Sequence, residues 1–273
     1  MPELIIEAER TEKNYWRDLW RFRELFYFLA LRDILVRYKQ TVMGIAWAVV
    51  RPLLTMLIFS VIFNRVAKLH APAAVPYALL VMAGMLPWQF ISASLAASAD
   101  SLILNSNLVS KIYFPRLIVP ASSVITSFVD FLITVALMAI MMAWYRFVPD
   151  WRLVGLPIFV VLAFAASIGA GLWLCALNVE FRDFRYIVPF VVQFGLYVSP
   201  VGFSSTVVPG KWRFLFSLNP AVGIIDGFRW SLLRGQPLIW WPDLINAILV
   251  TVILFFSGIW YFRRMERTFA DVI

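Results

Sequence analysis

The sequence has almost none of the residues from which most metal sites and disulfide frameworks are built. Its 273 residues include one cysteine, Cys175, and one histidine, His70. A lone cysteine cannot pair within the chain, and one histidine cannot complete a typical zinc site. We therefore expect no metal and no internal disulfide, and we interpret Cys175, inside an apolar run, as a small buried side chain.

Catalytic signatures are missing as well. The sequence contains no H-E-x-x-H, C-x-x-C or G-x-S-x-G pattern. Its single Gly-Lys pair, Gly210-Lys211, does not form a phosphate-binding loop, because Ser205 replaces the first glycine and Trp212 follows the lysine. We expect a protein that is not an enzyme and that holds no cofactor of its own.

Charge is scarce and hydrophobicity is high. Only 15% of the residues are charged and 62% are hydrophobic, with a mean hydropathy of +0.82, whereas soluble domains are nearer a quarter charged and half apolar. Apolar runs of about 20 residues match the roughly 30 Å hydrocarbon core of a bilayer. The sequence predicts an all-α membrane protein with six transmembrane helices, at about 43–64, 77–99, 118–145, 153–178, 186–203 and 243–262.

The distribution of lysine and arginine predicts the topology. Fifteen of them lie in the segment 1–42, the two loops after spans two and four, and the segment 263–273, against eight in the remaining connections. This bias predicts that both termini are cytoplasmic. Because topology accounts for the net charge of +8, we expect no nucleic-acid partner.

Three segments outside the six spans have helical patterns. Residues 15–38 carry an apolar stripe opposite a charged face, which predicts an amphipathic helix in the membrane interface or against a partner. The polar segment 204–242 predicts two short helices on either side of Asn219-Pro220, either re-entrant or lying on lipid. The stretch "NSNLVSKIYFPR" (105–116) predicts a short cytoplasmic helix that Asn105 or Ser106 caps and Pro115 ends. Its apolar residues fall on one side at helical spacing: Leu108, Val109, Ile112 and Tyr113.

Some polar and aromatic residues stand inside the spans. Asp130, near the middle of span three, is either a polar tie to a neighbouring helix or part of a hydrated path. Arg51, near the inner end of span one, can extend its head group to the interface. Aromatic stripes at helical spacing are either core packing or a channel wall; they comprise Trp47, Phe59 and Phe63 on span one and Phe190, Phe194 and Tyr197 on span five.

Several blocks resemble the permeases of the ABC-2 type that export polysaccharides and polyol phosphates, such as O-antigen, capsule and teichoic acid. The first block is "RDILVRYKQTVMGIAWAVVRPLL" (32–54), in which R-Y-K-x-T-x-x-G-x-x-W is fairly specific. Further matching blocks are "NLVSKIYFPRLIVP", "NVEFRDFRYIVPF", "SLNPAVGIIDGFR" and "RRMERTFADVI". The resemblance runs from about residue 15 to 273.

The resemblance implies a homodimer in the bacterial inner membrane that works with two copies of a separate ATPase, which binds ATP and Mg²⁺. It implies export of a glycan on a polyprenyl pyrophosphate, O-antigen or capsule-like, through a channel lined by spans one and five. It also implies contacts to the ATPase, for which the candidates are Asn107, Leu108, Val109, Lys111, Ile112 and Tyr113. The candidates for a pyrophosphate or anionic-lipid site are Arg37, Lys39 and Arg51. The candidates for an outer gate are Asn219, Asp226 and Arg229.

Two alternative functions stay open on the sequence alone. A membrane-embedded glycosyl or acyl transferase needs a cluster of His, Asp or Glu at one membrane face, where the chain offers only the pair Glu180 and Asp183 between spans. An ABC-2 permease for a small lipid or a drug shares the six-span plan. It usually carries a larger outer domain, which is absent here.

Overall fold

The protein is helical throughout the part that the structure describes. A computed structural model describes residues 15–39, 44–68, 75–181, 183–236, 238–266 and 269. Within these ranges the chain forms helices and connecting turns with no strand. The predicted all-α membrane fold is confirmed. His70, the whole segment 1–14, and the segment 267–273 apart from Phe269 lie outside the described residues.

Eleven α-helices are present in the described ranges, together with three short segments of other helix types. The helices are α1 (Tyr15–Arg21), α2 (Arg23–Lys39), α3 (Gly44–Phe59), α4 (Tyr77–Leu104), α5 (Ser106–Lys111), α6 (Ile118–Trp144), α7 (Leu156–Glu180), α8 (Phe184–Val198), α9 (Gly210–Ser217), α10 (Pro220–Leu232) and α11 (Trp241–Met265). The shorter segments are a π-helix that continues α3 (Ser60–Val66) and 3₁₀ turns at Trp151–Gly155 and Ser205–Val207.

Helix α4 is the centre of the bundle. It packs against α6, α7, α8 and α10, and 78% of its most apolar stretch is buried inside the protein. Its residues from Leu79 to Leu86 are almost completely buried on all sides, and an apolar helix without a polar face can be surrounded in this way by other helices. By contrast, α3 buries 6% and α11 buries 17% of the equivalent stretch, so these helices form the outside of the bundle.

The helices run back and forth between two ends of the bundle. The large core cluster contains most of α4 and the adjoining parts of α6, α7 and α10. A second cluster, here the terminal cluster, joins Tyr15 on α1, Val109 on α5, Phe114, and Phe262 and Phe269 at the C-terminal end. The first and last described residues therefore lie at the same end of the bundle.

The contact between α7 and α11 depends on two glycines. A Cβ atom on Gly258 would lie 2.2 Å from the carbonyl oxygen of Gly169, and one on Gly169 would lie 2.6 Å from the backbone of α11. Next to this crossing, the rings of Trp173 and Tyr261 stack with their centroids 4.0 Å apart, and the Trp173 indole N–H donates to Ser257 Oγ at 3.0 Å. Small residues let the backbones approach, as is common between membrane helices.

The sequence predicted six spans, whereas the length of the described helices alone supports five. Five helices in the described ranges are long and apolar enough to cross a membrane, and α8 is a shorter apolar helix. Its 15 residues extend about 22 Å, and the helix ends at Val198, where the sequence predicted a span reaching residue 203. Together with the turn at 199–204, α8 runs from the end of α7 to the start of α4, at the other end of the bundle.

The N-terminal amphipathic stripe packs against the chain itself. The predicted single helix at 15–38 is two helices, interrupted at Phe22. Tyr15 and Leu29 are buried in the terminal cluster, and Leu19, Phe22 and Phe26 are partly buried against it. The other face of α1 and α2 is mixed. It exposes charged side chains, among them Arg17, Arg21 and Glu24, together with four large aromatic side chains: Trp16, Trp20, Tyr27 and Phe28.

Candidate functional site

The predicted cytoplasmic helix at 105–116 is the six-residue α5. Its predicted capping is wrong, because no side chain of Asn105 or Ser106 accepts a backbone N–H there. The Asn105 amide donates instead to the Ser101 carbonyl at 2.8 Å and accepts from the Arg32 guanidinium on α2 at 2.8 Å. The residue therefore ties the end of α4 to the N-terminal helix.

The four apolar residues of this segment do not share one face, so that prediction was wrong. Val109 is 5% exposed and lies in the terminal cluster, and Leu108 is partly buried against it. Ile112 leaves the helix in an extended conformation, so it and Tyr113 point outward with 53% and 47% exposure. Together with the exposed Asn107 and Lys111, these outward residues form what we call the coupling surface (Asn107, Lys111, Ile112 and Tyr113).

The coupling surface is held from behind by the C-terminal end of the chain. The backbone N–H of Arg116 donates to Glu266 Oε1 at 2.7 Å, and the Arg116 guanidinium donates to the Glu266 carbonyl. Phe114 and Leu117 on either side are buried. Burial raises the pKa of the Glu266 carboxyl, and the hydrogen bond from Arg116 and the nearby cations oppose that rise.

Of the three candidates for the pyrophosphate or anionic-lipid site, Arg37 forms an ion pair, and Lys39 and Arg51 are exposed. The Arg37 guanidinium pairs with Asp130 of α6, which also accepts the hydroxyl of Tyr38. Asp130 is thus in contact with a neighbouring helix, the first of the two interpretations given above. Lys39 and Arg51 are exposed side chains, and Lys39 borders a shallow groove on α2 with Phe28, Leu31, Arg32, Leu35 and Val36.

The aromatic candidates behave differently on the two helices. Phe190, Phe194 and Tyr197 of α8 are 65%, 57% and 66% exposed, and the first two stack with centroids 5.9 Å apart. The opposite side of α8 packs on α4, where Gly195 leaves room for the Trp88 ring. A continuous aromatic wall therefore faces away from the bundle.

On span one, the candidate residues are mostly engaged in packing. Trp47 is 54% exposed. Phe59 and Phe63 are partly buried against the large core cluster, and their rings meet edge to face at 5.6 Å. The Phe63 ring also lies against Phe203 and fills the space above Gly202. Phe63 thus packs on the turn that follows α8 and does not form a free wall.

The three gate candidates surround the turn that follows α8. The Asn219 amide donates to Ser199 Oγ at 2.9 Å, and its oxygen caps α10 by accepting from Ala221 N at 3.0 Å. Arg229 is fully buried. Its guanidinium donates to the carbonyls of Val201 and Phe203, each at 2.8 Å.

Two further contacts complete this arrangement. Arg229 Nε donates to the Leu80 carbonyl at 3.2 Å, and the Tyr77 hydroxyl donates to the Gly202 carbonyl at 2.7 Å. Asp226, also buried, lies 4.0 Å from the Arg229 guanidinium. The turn at 199–204 is therefore irregular backbone in which the carbonyls of Val201, Gly202 and Phe203 each accept from a protein side chain, and such bonds are what irregular backbone at membrane depth requires.

Several residues in these contacts escaped the sequence reasoning. Glu266 and Tyr77 were not singled out, and Arg32 and Arg116 were counted only as topology charges. A single acidic residue among the basic ones of "RRMERTF" is the one local signal for Glu266. In the part of the chain that the structure describes, no group of three or more His, Cys, Asp or Glu side chains could hold a metal ion.

Comparison with known proteins gives matches over most of the chain. Residues 24–233 match the family model described as ABC-2 type transporter. The chain is 28% identical over 253 residues to an O-antigen export system permease protein RfbA of Klebsiella pneumoniae, covering 92% of this chain and 95% of that protein. It is 27% identical over 262 residues to the protein of that name in Myxococcus xanthus, with coverage of 94% and 98%. The inner membrane transport permease YadH of Escherichia coli K12 is 26% identical over 260 residues, covering 88% of this chain and 97% of that protein.

Proposed function

Because the chain belongs to the ABC-2 type transporter family, we propose that it is the membrane-spanning permease of an ATP-driven exporter of a lipid-linked polysaccharide. The observation that carries this proposal is its similarity, over nearly the full length of both chains, to relatives named as O-antigen export permeases. An O-antigen or capsule-like glycan is the proposed substrate class, and the bacterial inner membrane the proposed location.

In this proposal, the energy comes from a separate ATPase. The chain has no phosphate-binding loop, so ATP and Mg²⁺ belong to the partner, in a complex of two permeases and two ATPases. The coupling surface supports a docking site there, because it offers a short exposed segment braced from behind by α2 and α11. The excess of basic residues near both termini supports a cytoplasmic position for this end of the bundle.

The aromatic wall of α8 is the proposed channel lining. Aromatic rings can stack on the C–H faces of sugars without binding any one residue of a moving chain through obligate hydrogen bonds. Phe190, Phe194 and Tyr197 point away from the rest of the chain, as a surface that faces a second permease copy across a channel has to. Trp47 is the candidate on α3 that is similarly exposed.

The proposed site for the lipid pyrophosphate lies at the C-terminal end of α2. Lys39 and Arg51 offer exposed cations, while Arg37 has to exchange its contact with Asp130 for a phosphate. Anionic membrane lipid uses the same chemistry, and therefore competes for the same residues. For the gate, Asn219, Asp226 and Arg229 act through the turn that they hold, since two of them are buried.

Complementation of a strain that lacks the permease tests the proposal. We expect the wild-type chain to restore surface polysaccharide and to co-purify with an ATPase subunit. Phe194→Ala and Tyr197→Ala should reduce surface polysaccharide at normal expression. Phe256→Ala is the matched control, because Phe256 is a 65% exposed aromatic residue on α11. Wild-type export in both α8 variants would exclude the aromatic channel wall.

The comparisons do not favour the alternative functions that the sequence alone left open. The relatives named for O-antigen export match over 92–94% of this chain, and YadH is named only as an inner membrane transport permease.

A further inference from the structure

The segment behind the coupling surface is fastened by two hydrogen bonds to Glu266, the residue that directly follows α11. Arg116 donates through its backbone N–H to the Glu266 side chain at 2.7 Å, and through its guanidinium to the Glu266 carbonyl. Glu266 is in turn continuous with α11, since its own N–H donates to the Phe262 carbonyl at 2.8 Å. We call this pair of bonds the Arg116–Glu266 latch.

Apolar packing around the latch makes the same connection. Val109, which lies between members of the coupling surface, and Phe114, which directly follows it, share the terminal cluster with Phe262 of α11. Tyr15 of α1 is buried in this cluster, and the Arg263 guanidinium lies 4.5 Å from the centre of its ring. The segment that carries the coupling surface is therefore packed on the end of α11.

Helix α11 reaches the opposite end of the bundle without interruption. Its 25 residues extend about 37 Å. Near its start, Asp243 accepts from the Arg213 guanidinium of α9 at 3.4 Å. A Cβ on Gly223 of α10 would lie 2.6 Å from Ala247 Cβ. Helix α11 thus connects Glu266 at one end of the bundle to α9 and α10 at the other end, where these helices surround the turn after α8.

We propose that Arg116 and Glu266 are positioning residues that pass the movement of the coupling surface into α11. This inference rests on the proposed docking of an ATPase on that surface. The coupling surface binds the ATPase, and α11 contacts the helices α9 and α10. The Arg116–Glu266 latch connects these two parts of the protein. Cutting the latch separates ATP hydrolysis from export and leaves the docking surface intact.

The experiment uses the full complex of the permease with its ATPase. Glu266→Ala removes the acceptor of the Arg116 backbone N–H, whereas Glu266→Gln keeps an oxygen at that position without the charge. Glu180→Ala is the matched control: it is a carboxylate at the same end that accepts from the Tyr261 hydroxyl of α11 at 3.2 Å. Each variant also carries Cys175→Ser and Ser110→Cys, an exposed position beside the coupling surface but not part of it, so that crosslinking to the ATPase reports docking.

The expected result is a separation of the two activities. Glu266→Ala should lower surface polysaccharide by about fivefold, corresponding to about 1 kcal/mol of lost coupling, while ATP hydrolysis and the crosslink at residue 110 stay near wild type. Glu266→Gln and Glu180→Ala should export normally. Arg116→Ala should reduce export less than Glu266→Ala, because its backbone bond remains.

Three outcomes would overturn the inference. They are normal export by Glu266→Ala, an equal loss of export in Glu180→Ala, or loss of both the crosslink and the complex in Glu266→Ala, which would make Glu266 a folding residue. Failure of the proposed docking is a different result, because the otherwise wild-type chain with Ser110→Cys would then give no crosslink to the ATPase.

Discussion

Replacing Arg229 by methionine tests whether one buried side chain holds the turn after α8. Methionine keeps the length of the side chain and removes every donor. The carbonyls of Val201 and Phe203 have no other recorded donor within the described ranges, while the Leu80 carbonyl belongs to a helix. Leaving a buried acceptor unsatisfied costs about 1–3 kcal/mol, so the two carbonyls together predict a loss of about 2–6 kcal/mol.

The assay is thermal unfolding of the purified protein in detergent, followed by tryptophan fluorescence. For a chain of this size, 1 kcal/mol shifts Tm by about 2–4 °C, so we expect Arg229→Met to lower Tm by roughly 5 °C or more. Arg65→Met is the control, since Arg65 is exposed at the end of the π-helix that packs on the same turn. An exposed substitution is expected to stay within about 0.5 kcal/mol.

The nearby carboxyl gives this prediction a pH dependence. Burial raises the pKa of Asp226 to about 6, and the Arg229 cation opposes that rise. Without the cation the pKa rises further, and the buried carboxylate costs more stability as the pH increases above 6. The deficit of Arg229→Met should therefore grow from pH 6 to pH 8, and adding Asp226→Asn should recover part of it. A Tm within about 2 °C of the Arg65→Met control would refute the role assigned to the guanidinium.

Three further predictions use the same purified protein. Gly258→Val should destabilise the protein by about 1–3 kcal/mol or more, because the added Cβ would overlap the Gly169 carbonyl. Gly210→Ala is the control and should be neutral, because nothing lies within 4 Å of its added Cβ. Equal Tm values for the two variants would contradict the close crossing of α7 and α11. Glu266→Gln should raise Tm at pH 7.5, because burial raises the pKa of the native carboxyl and so penalises its charged form in the folded protein. The gain in Tm should shrink below the ordinary carboxyl pKa of about 4.5. A gain in Tm that grows in acid would refute this reasoning. Asp130→Asn should weaken the contact between α2 and α6 and speed proteolytic cleavage in α2, whereas unchanged cleavage would show that this carboxylate does not hold α2.

Most of the helical architecture could be predicted because hydrophobic run length is a local property. The apolar runs that the sequence placed at 77–99 and 118–145 correspond to α4 and α6. The stripe of Tyr15, Phe22 and Leu29 was visible at helical spacing, but its burial against the same chain was not. A stripe records that one face is apolar, and it does not record whether lipid, a partner or the terminal cluster covers that face.

The site was harder to predict because its key contacts are long-range and use backbone acceptors. Arg229 looked like an outer-loop cation, since a carbonyl partner at Val201 leaves no mark on side-chain identity. The same reason hid the bond from Arg116 to Glu266, which are 150 residues apart. The predicted face of α5 was wrong because helical spacing was extended past Lys111, where the chain becomes extended before Pro115.

The short α8 has a consequence for the order in which the chain is made. Its helix is about 8 Å shorter than the hydrocarbon core, and the turn that extends it depends on Arg229, which leaves the ribosome 28 residues after Val201. Until α10 has been synthesised, the carbonyls of Val201 and Phe203 lack the donor that they have in the folded protein. The end of α8 therefore obtains its final hydrogen bonds only after the later segment that supplies Arg229 has been made.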